Sequence, residues 1–245
     1  MFCVSFIIPC YNSEPFIFSN IKKIINEAKR LKVNYQIIII NDGSTDNTNF
    51  EINKLKKNYK KIKYINSKEN TGKSFSIRKG LVQTQFNNVI LLDADLAYFT
   101  YIPKIISELK KNVDLVIVDR YHPRSVLKNN NLSIYQFCRK NIGKLISKII
   151  SHIVSINLGT IDTQAGLKGF KKVNKFNKNK FISKKFFFDV ELIYFFKRMN
   201  KKISLIPVEY KIEENSSIRL FSVTNFKIIL DLVNVITYLR NLDKR

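Results

Sequence analysis

Asp93 and Asp95 are separated by one alanine and follow the apolar run 89–92 directly, as expected after a buried strand. Two carboxylates at the end of a buried strand need a compensating charge. A hard cation such as Mg²⁺ or Mn²⁺ supplies it, because it accepts carboxylate and phosphate oxygens together. The pair therefore predicts a metal site that holds a phosphate-bearing ligand, and an acidic turn is the simpler alternative.

Three more polar clusters follow strand-like runs in the same way. They are the segments 9–12 (PCYN), 41–46 (NDGSTD) and 70–73 (NTGK). In open parallel sheets, ligands bind beyond the carboxyl ends of the strands. Four polar clusters at four consecutive strand ends therefore indicate one shared ligand site.

Strand-like and helix-like segments alternate over the first 120 residues. Short β-branched runs predict strands, and longer segments with apolar residues at helical spacing predict helices. The predicted strands are 3–8, 35–40, 62–65, 89–92 and 113–118, and the predicted helices are 16–31, 48–57, 74–83 and 103–111. This order predicts an α/β fold, with a mainly parallel sheet covered by helices on both faces.

Two later segments have the pattern of basic amphipathic helices. One lies within 132–155, and the other within the C-terminal segment 221–245. A basic amphipathic helix can lie in a membrane surface, and a core-facing helix with a solvated lysine face is the alternative. We expect a catalytic domain over 1–220, with 132–155 as its interface helix, and a C-terminal helix beyond it.

Composition restricts the possible partners. The 245 residues carry 43 Lys and Arg against 19 Asp and Glu, a net charge of +24, which attracts polyanions, anionic lipids and phosphorylated substrates. The lysines are dispersed and no nucleic-acid-binding motif is found, so we expect no nucleic-acid partner. Three cysteines without metal-ligand spacing indicate a reducing cytosol. Without a long uncharged apolar run, membrane contact is expected to be peripheral, on the cytosolic face.

Several enzyme classes are excluded by missing residues. The segment 72–74 (GKS) is similar to the end of a phosphate-binding loop, but Ser67 stands where that motif needs glycine. No glycine-rich dinucleotide motif follows the first strand. Neither His122 nor His152 has a neighbouring arrangement that suggests a nucleophilic triad.

Together these motifs resemble family 2 inverting glycosyltransferases, which have the GT-A (Rossmann-like) fold. Further motifs are similar to the polyprenyl-phosphate glycosyltransferase branch, and most of all to the dolichyl-phosphate β-glucosyltransferases. The family motifs are 9–14 (PCYNSE), 41–46, 69–73 (ENTGK) and 93–95 (DAD), and the branch motifs are 162–170 (DTQAGLKGF), 187–192 (FFDVEL) and 217–221 (SIRLF). The chain departs from the family pattern at Ser13, 118–120 and 165–167.

The resemblance implies a role for each candidate site residue. Asp93 and Asp95 would hold Mg²⁺ or Mn²⁺, and Asp95, Asp162 and Arg120 would be catalytic. Residues implied to bind the nucleotide sugar are Pro9, Tyr11, Glu14, Asp42, Lys73 and Asp93. Arg120 and Arg139 are candidates for the acceptor phosphate, since forked guanidinium donors suit two phosphates held close together. Asp162 would either orient the acceptor or take up a proton.

The resulting hypothesis is transfer of a hexose from a nucleotide sugar to a polyprenyl or dolichyl phosphate. UDP-glucose is the favoured donor, and the partners are the lipid phosphate and the membrane surface. A family 2 enzyme that glycosylates a sugar hydroxyl of a surface polysaccharide is the alternative. That acceptor must lose a proton during attack, so it would depend more strongly on Asp162 as a base. A nucleic-acid-binding protein without catalysis is the remote alternative.

Overall fold

The computed structural model describes residues 1–129, 133, 136–137, 141, 148, 150, 152, 162–173, 181–212 and 224–243. Within these residues, the fold is built on a seven-stranded sheet with the order β3-β2-β1-β4-β7-β5-β8, and β6 pairs with β9 separately. The strands are β1 (Cys3–Cys10), β2 (Asn34–Asn41), β3 (Ile62–Asn66), β4 (Asn88–Leu92), β5 (Leu115–Asp119), β6 (Val126–Leu127), β7 (Leu167–Lys171), β8 (Ile203–Pro207) and β9 (Glu209–Tyr210).

Only one strand of the large sheet, as described, runs against the others. β7 is antiparallel to both of its neighbours, β4 and β5, whereas the remaining neighbours pair in parallel. The register pairs Leu92 with Leu167 and Ile117 with Lys168. The segment that leads into β7 therefore lies at the edge where β4 and β5 end.

Helices cover both faces of the sheet, as predicted. They are α1 (Ile17–Arg30), α2 (Thr48–Asn58), α3 (Lys73–Val82), α4 (Ile102–Lys110), α5 (Phe188–Arg198) and α6 (Thr224–Asp243). The apolar residues of α1, α2 and α4 join one core, and those of α3, α5 and α6 join the other. Within β2, Ile37 and Ile39 face the first core, and Ile38 and Ile40 face the second. This is why the strand is an unbroken isoleucine run.

The predicted elements of the first 120 residues are confirmed with small shifts of their ends. β1 continues through Pro9 to Cys10, and β5 begins at Leu115 instead of Val113. β7 was not predicted, because LKGFK has no apolar run to mark it. Most of the predicted interface helix 132–155 lies outside the described residues. Among the helices described, none combines the length and hydrophobicity needed to cross a bilayer.

Glu191, in the first turn of α5, is a carboxyl group buried completely beneath the segment 181–185. Its Oε1 accepts hydrogen bonds from the backbone N–H of Ile182 at 2.7 Å and of Ser183 at 3.3 Å. Burial raises the pKa of Glu191 to about 7; the charge of Asp231 adds to this rise, whereas the two N–H donors and the charge of Arg78 oppose it. The protein therefore holds a carboxyl that titrates near neutral pH.

We predict that Glu191→Gln changes the pH dependence of stability. A pKa raised from 4.5 to about 7 means that the folded state binds the proton more tightly than the unfolded state. The contribution of this group to the stability of the protein is therefore lost as pH rises through that window. The difference in free energy of unfolding, variant minus wild type, should therefore rise by about 2 kcal/mol from pH 5.5 to pH 8. Urea titrations at both pH values measure this. Glu209→Gln, at an exposed position, controls for the loss of one carboxylate. An equal difference between Glu191→Gln and wild type at both pH values would contradict the assignment.

Candidate active site

The loops that follow β1 and β2 are joined by hydrogen bonds. The backbone N–H of Asn12 donates to Ser44 Oγ at 2.9 Å, and the N–H of Thr45 donates to Asn12 Oδ1 at 2.9 Å. Glu14 accepts two hydrogen bonds from Asn47, one from the backbone N–H and one from Nδ2. The two polar clusters therefore form one rigid surface, in which the Glu14 carboxylate supports the start of α2.

Asp42 connects this surface to the loop before α3. Its Oδ1 accepts from the backbone N–H and hydroxyl of Thr71 at 3.0 and 2.8 Å, and its Oδ2 accepts from the N–H of Gly72 at 2.8 Å. Gly72 has φ +106°, and a Cβ there would collide with the carbonyl of Lys184. The tight turn that presents Lys73 therefore needs both the Asp42 carboxylate and a glycine.

Asp93 and Asp95 follow β4 at the same edge of the sheet. The N–H of Asp93 donates to the carbonyl of Gly166 at 3.1 Å, and a Cβ on Gly166 would collide with the Asp93 carboxylate. Asp95 is exposed, and its Oδ1 accepts from the N–H of Ala97 at 3.1 Å. Position 166 must therefore be glycine for the Asp93 carboxylate to adopt this position.

Lys73 forms an ion pair with Asp93, and the side chains are 28% and 33% exposed. Burial lowers the pKa of Lys73, but the charges of Asp93, Asp189 and Asp95 outweigh burial and leave the pKa raised. Lys168 lies beside this pair, where its Nζ contacts Asp189 at 3.0 Å and donates to the carbonyl of Ala165 at 2.6 Å. Positive and negative groups thus alternate along a small cavity that Pro9 also lines.

Arg120 and Asp162 form the second ion pair of the site. Arg120 Nε and Nη2 donate to Asp162 Oδ2 and Oδ1, each at 2.7 Å, and the backbone N–H of Arg120 donates to Oδ2 at 2.9 Å. Arg120 follows β5 directly and Asp162 precedes the antiparallel β7, so the sheet brings them to one edge. Asp162 is only 1% exposed, whereas Arg120 is 32% exposed. The other three N–H donors of the guanidinium are not used by Asp162.

The electrostatic environment keeps both members of this pair charged. Burial raises the pKa of Asp162, but the hydrogen bonds and charge of Arg120 outweigh burial and leave the pKa lowered. Burial lowers the pKa of Arg120, and Asp162 more than reverses this. Burial also raises the pKa of Tyr98 nearby to about 12, so its hydroxyl remains a neutral donor. Asp162 is therefore an ionised carboxylate whose two oxygens already hold Arg120.

The structure brings most of the predicted site residues to this one edge. Tyr11 is 47% exposed on the first loop, as a surface for a ligand requires. Arg139 lies outside the described residues. Lys168 and Tyr98 were not named as site residues. Lys168 lies within the branch motif 162–170, which implied no role for it, and no local pattern in the sequence distinguishes Tyr98. Among the residues described, no three His, Cys, Asp or Glu side chains are grouped so that they could hold a metal ion together.

A comparison with known protein families identifies the family to which the chain belongs. The model for glycosyl transferase family 2 matches residues 5–203, most of the chain. The chain belongs to glycosyltransferase family 2. The matched region contains both ion pairs, Lys73–Asp93 and Arg120–Asp162.

Similar proteins agree with this family assignment. A dolichyl-phosphate beta-glucosyltransferase of Trichomonas vaginalis is 28% identical over 248 residues, covering 97% of this chain and 74% of that protein. A dolichyl-phosphate beta-glucosyltransferase of Dictyostelium discoideum is 28% identical over 245 residues, covering 95% of this chain and 73% of that protein. The resemblance found in the sequence is thus confirmed, and this glycosyltransferase has relatives of that kind along nearly its whole length.

Solved structures confirm the fold of this glycosyltransferase. Glucosyl-3-phosphoglycerate synthase of Mycobacterium tuberculosis, crystallised with Mn²⁺, UDP-glucose and phosphoglyceric acid, superimposes with a TM-score of 0.63. The alignment covers 96% of this chain and 80% of that one at 14% identity. At this identity the likeness shows the GT-A fold alone.

We predict that Arg120→Gln destabilises this glycosyltransferase by about 2 to 3 kcal/mol at pH 7, because it leaves the buried Asp162 carboxylate without its cation. The double variant Arg120→Gln/Asp162→Asn should be more stable than Arg120→Gln alone, since it leaves no unpaired charge at position 162. Urea unfolding of the four proteins of this cycle measures the coupling. Arg30→Gln is the matched control, because Arg30 holds Glu27 in the same forked geometry on the exposed surface of α1. Additive effects of the two substitutions would contradict the coupling.

Proposed function

We propose that this glycosyltransferase moves a hexose, with glucose favoured, from a nucleotide sugar onto a polyprenyl or dolichyl phosphate. UDP-glucose is the favoured donor, and the cytosolic face of a membrane is the favoured location. The Arg120–Asp162 pair carries the proposal, because Asp162 uses only two of the five N–H donors of a guanidinium that lies at the same edge of the sheet as the two aspartates. The dolichyl-phosphate beta-glucosyltransferase relatives support the same acceptor.

The two aspartates fit a divalent cation, either Mg²⁺ or Mn²⁺. Asp93 already binds a cation, the ammonium of Lys73, and Asp95 presents an exposed carboxylate two residues away. Mg²⁺ is usually held by one or two carboxylates together with substrate phosphates and water, which matches a set of two. When bound, such an ion supplies Lewis-acid stabilisation of the negative charge on a departing diphosphate.

Lys73 has a second role in this proposal. Its ammonium pairs with Asp93, and it is the first residue of α3, where the helix dipole also favours anions. A nucleotide diphosphate brings enough negative charge to replace Asp93 as the partner of Lys73. Lys73 therefore exchanges a carboxylate for a phosphate when the donor binds.

The acceptor side favours a phosphate over a sugar hydroxyl. A phosphate oxygen is already ionised near neutral pH, since its second pKa is about 6, so it needs no strong base. Asp162 is a poor base, because its pKa is lowered and both of its oxygens accept from Arg120. We therefore assign Asp162 to the orientation of Arg120, and Arg120 to the acceptor phosphate.

Peripheral membrane contact is supported by α6. Ile229, Leu230 and Val233 are exposed on this helix, whereas Val235 and Leu239 are buried in the core. Arg240 adds an exposed positive charge near the end of the helix, in a chain of net charge +24. An apolar surface next to positive charge suits anionic lipid headgroups.

We predict that Lys73→Met increases the affinity for Mn²⁺ measured without nucleotide by roughly three- to tenfold, because the ammonium no longer competes for Asp93. The same variant should bind UDP more weakly when Mn²⁺ is saturating. Electron paramagnetic resonance counts free Mn²⁺ in the first measurement, and calorimetry gives the second.

The control for this prediction is Lys79→Met. Lys79 lies on the same helix but donates to the hydroxyl of Ser67 at 2.9 Å instead of a carboxylate. Its substitution should leave both affinities unchanged. Weaker Mn²⁺ binding by Lys73→Met would show that Lys73 and the cation do not compete.

The proposed activity is tested with radiolabelled UDP-glucose, Mg²⁺ and undecaprenyl or dolichyl phosphate in detergent. We expect label in a chloroform-soluble product, and none when the phosphate is omitted from the lipid. Arg120→Lys keeps the charge but loses the fork, so it should lower the rate by roughly ten- to a hundredfold. A thermal-shift panel of UDP and GDP sugars with Mn²⁺ identifies the donor, because a ligand bound by the native state raises its stability. Label in a polysaccharide instead of lipid would support the sugar-hydroxyl alternative and reject this proposal.

A further inference from the structure

We infer that Asp231, on α6, is a positioning residue for the donor site. Asp231 is buried, and its carboxylate accepts three hydrogen bonds from one short segment. Ser183 Oγ donates to Oδ2 at 2.8 Å, the N–H of Lys184 donates to Oδ1 at 2.9 Å, and the N–H of Lys185 donates to Oδ2 at 2.9 Å. The segment 183–185 is therefore fixed to α6 by a single carboxylate.

The other side of this segment caps α3. The first N–H groups of a helix have no partner within it, and Gly72 at the N-cap has no side chain to supply one. The N–H of Ser74 donates to the carbonyl of Lys185 at 2.9 Å, and that of Phe75 donates to the carbonyl of Lys184 at 3.3 Å. Segment 183–185 thus takes the place of a side-chain cap.

Two serines strengthen the same connection. The hydroxyl oxygens of Ser74 and Ser183 lie 3.0 Å apart. The N–H of Phe188 donates to Ser74 Oγ at 3.1 Å, and the N–H of Phe187 donates to Ser183 Oγ at 3.0 Å. Asp231, the 183–185 segment, the start of α5 and the start of α3 therefore form one hydrogen-bonded unit.

This hydrogen-bonded unit fixes the position of Lys73. It lies between Gly72, which packs against the carbonyl of Lys184, and Ser74, which is capped by Lys185. Its ammonium forms the ion pair with Asp93 in the site. Loss of the Asp231 carboxylate should release the segment, uncap α3 and widen the range of positions that Lys73 can adopt. Asp231 touches no reacting atom and acts through Lys73.

The test compares Asp231→Asn with wild type, both as the chain of 245 residues. Asparagine keeps the shape of the side chain but replaces one acceptor oxygen with a donor that faces the N–H groups of the segment. We expect amide hydrogen exchange to accelerate about tenfold in 72–76 and 183–187 and to stay unchanged in α4. We also expect the dissociation constant for UDP with saturating Mn²⁺ to rise about tenfold, with KM for the nucleotide sugar changed more than kcat.

Asp114→Asn is the matched control. Asp114 Oδ2 accepts from the N–H of Lys202 at 3.0 Å, near the opposite end of the sheet, so this variant also removes a carboxylate from a backbone donor. It should change neither UDP affinity nor exchange in 72–76. If Asp231→Asn does not fold, Ser183→Ala removes one contact to Asp231 and should give the same pattern at smaller size.

The inference rests on the proposed nucleotide-sugar site. UDP affinity of wild type tests that site, and hydrogen exchange tests the positioning role of Asp231. Wild type that binds no UDP would reject the proposed donor, while hydrogen exchange would still report whether Asp231 fixes α3. Wild type that binds UDP, together with an Asp231→Asn variant of unchanged UDP affinity, would overturn the positioning role. Uniform acceleration of exchange over the whole chain would also overturn it, since that reports general destabilisation.

Discussion

Pairwise compensation of charge at the carboxyl edge of the sheet is the constraint on which the rest of this structure depends. Several acidic side chains lie there or directly beneath, and burial makes such groups costly unless donors or cations face them. Asp42 and Asp231 are compensated by backbone N–H groups, whereas Asp93, Asp162 and Asp189 are compensated by Lys73, Arg120 and Lys168. Each compensating contact joins two elements distant in the chain, so the contacts that remove the electrostatic cost also build the site.

The first half of the fold could be predicted because both faces of its strands are buried. The isoleucine run of β2 and the helical spacing of α1 are local signals, and each needs only about ten residues to be recognised. The convergence of the polar clusters could be predicted as well, because parallel strands bring their carboxyl ends to one edge of the sheet. For this reason Asp42, Lys73 and Asp93 were predicted together and are found together.

The pairing of Arg120 with Asp162 could not be predicted in the same way. Both residues were named, but with separate roles, and 42 positions separate them in the chain. Their contact depends on β7 running antiparallel between β4 and β5, and β7 carries the weak pattern LKGFK with a buried Lys168. A strand that contains a lysine and a glycine lacks the pattern of apolar residues from which a strand is predicted. The lysine is tolerated in the interior because Asp189 and the carbonyl of Ala165 compensate it, and both contacts exist only after folding.

The two ion pairs of the site differ in whether they can exchange partners, and this difference suits the proposed pair of substrates, both of which carry phosphate. Lys73 and Asp93 are both about one-third exposed, so a charged ligand can approach either member and replace the other. Arg120 is bound differently: Asp162 is 1% exposed and also accepts the backbone N–H of Arg120, so separating the two side chains would remove the guanidinium from a buried carboxylate. The first pair can therefore adapt to a donor that arrives and leaves with each turnover. The second pair holds its guanidinium in place, and in the proposed reaction such a fixed fork would stabilise the transition state without reorganising.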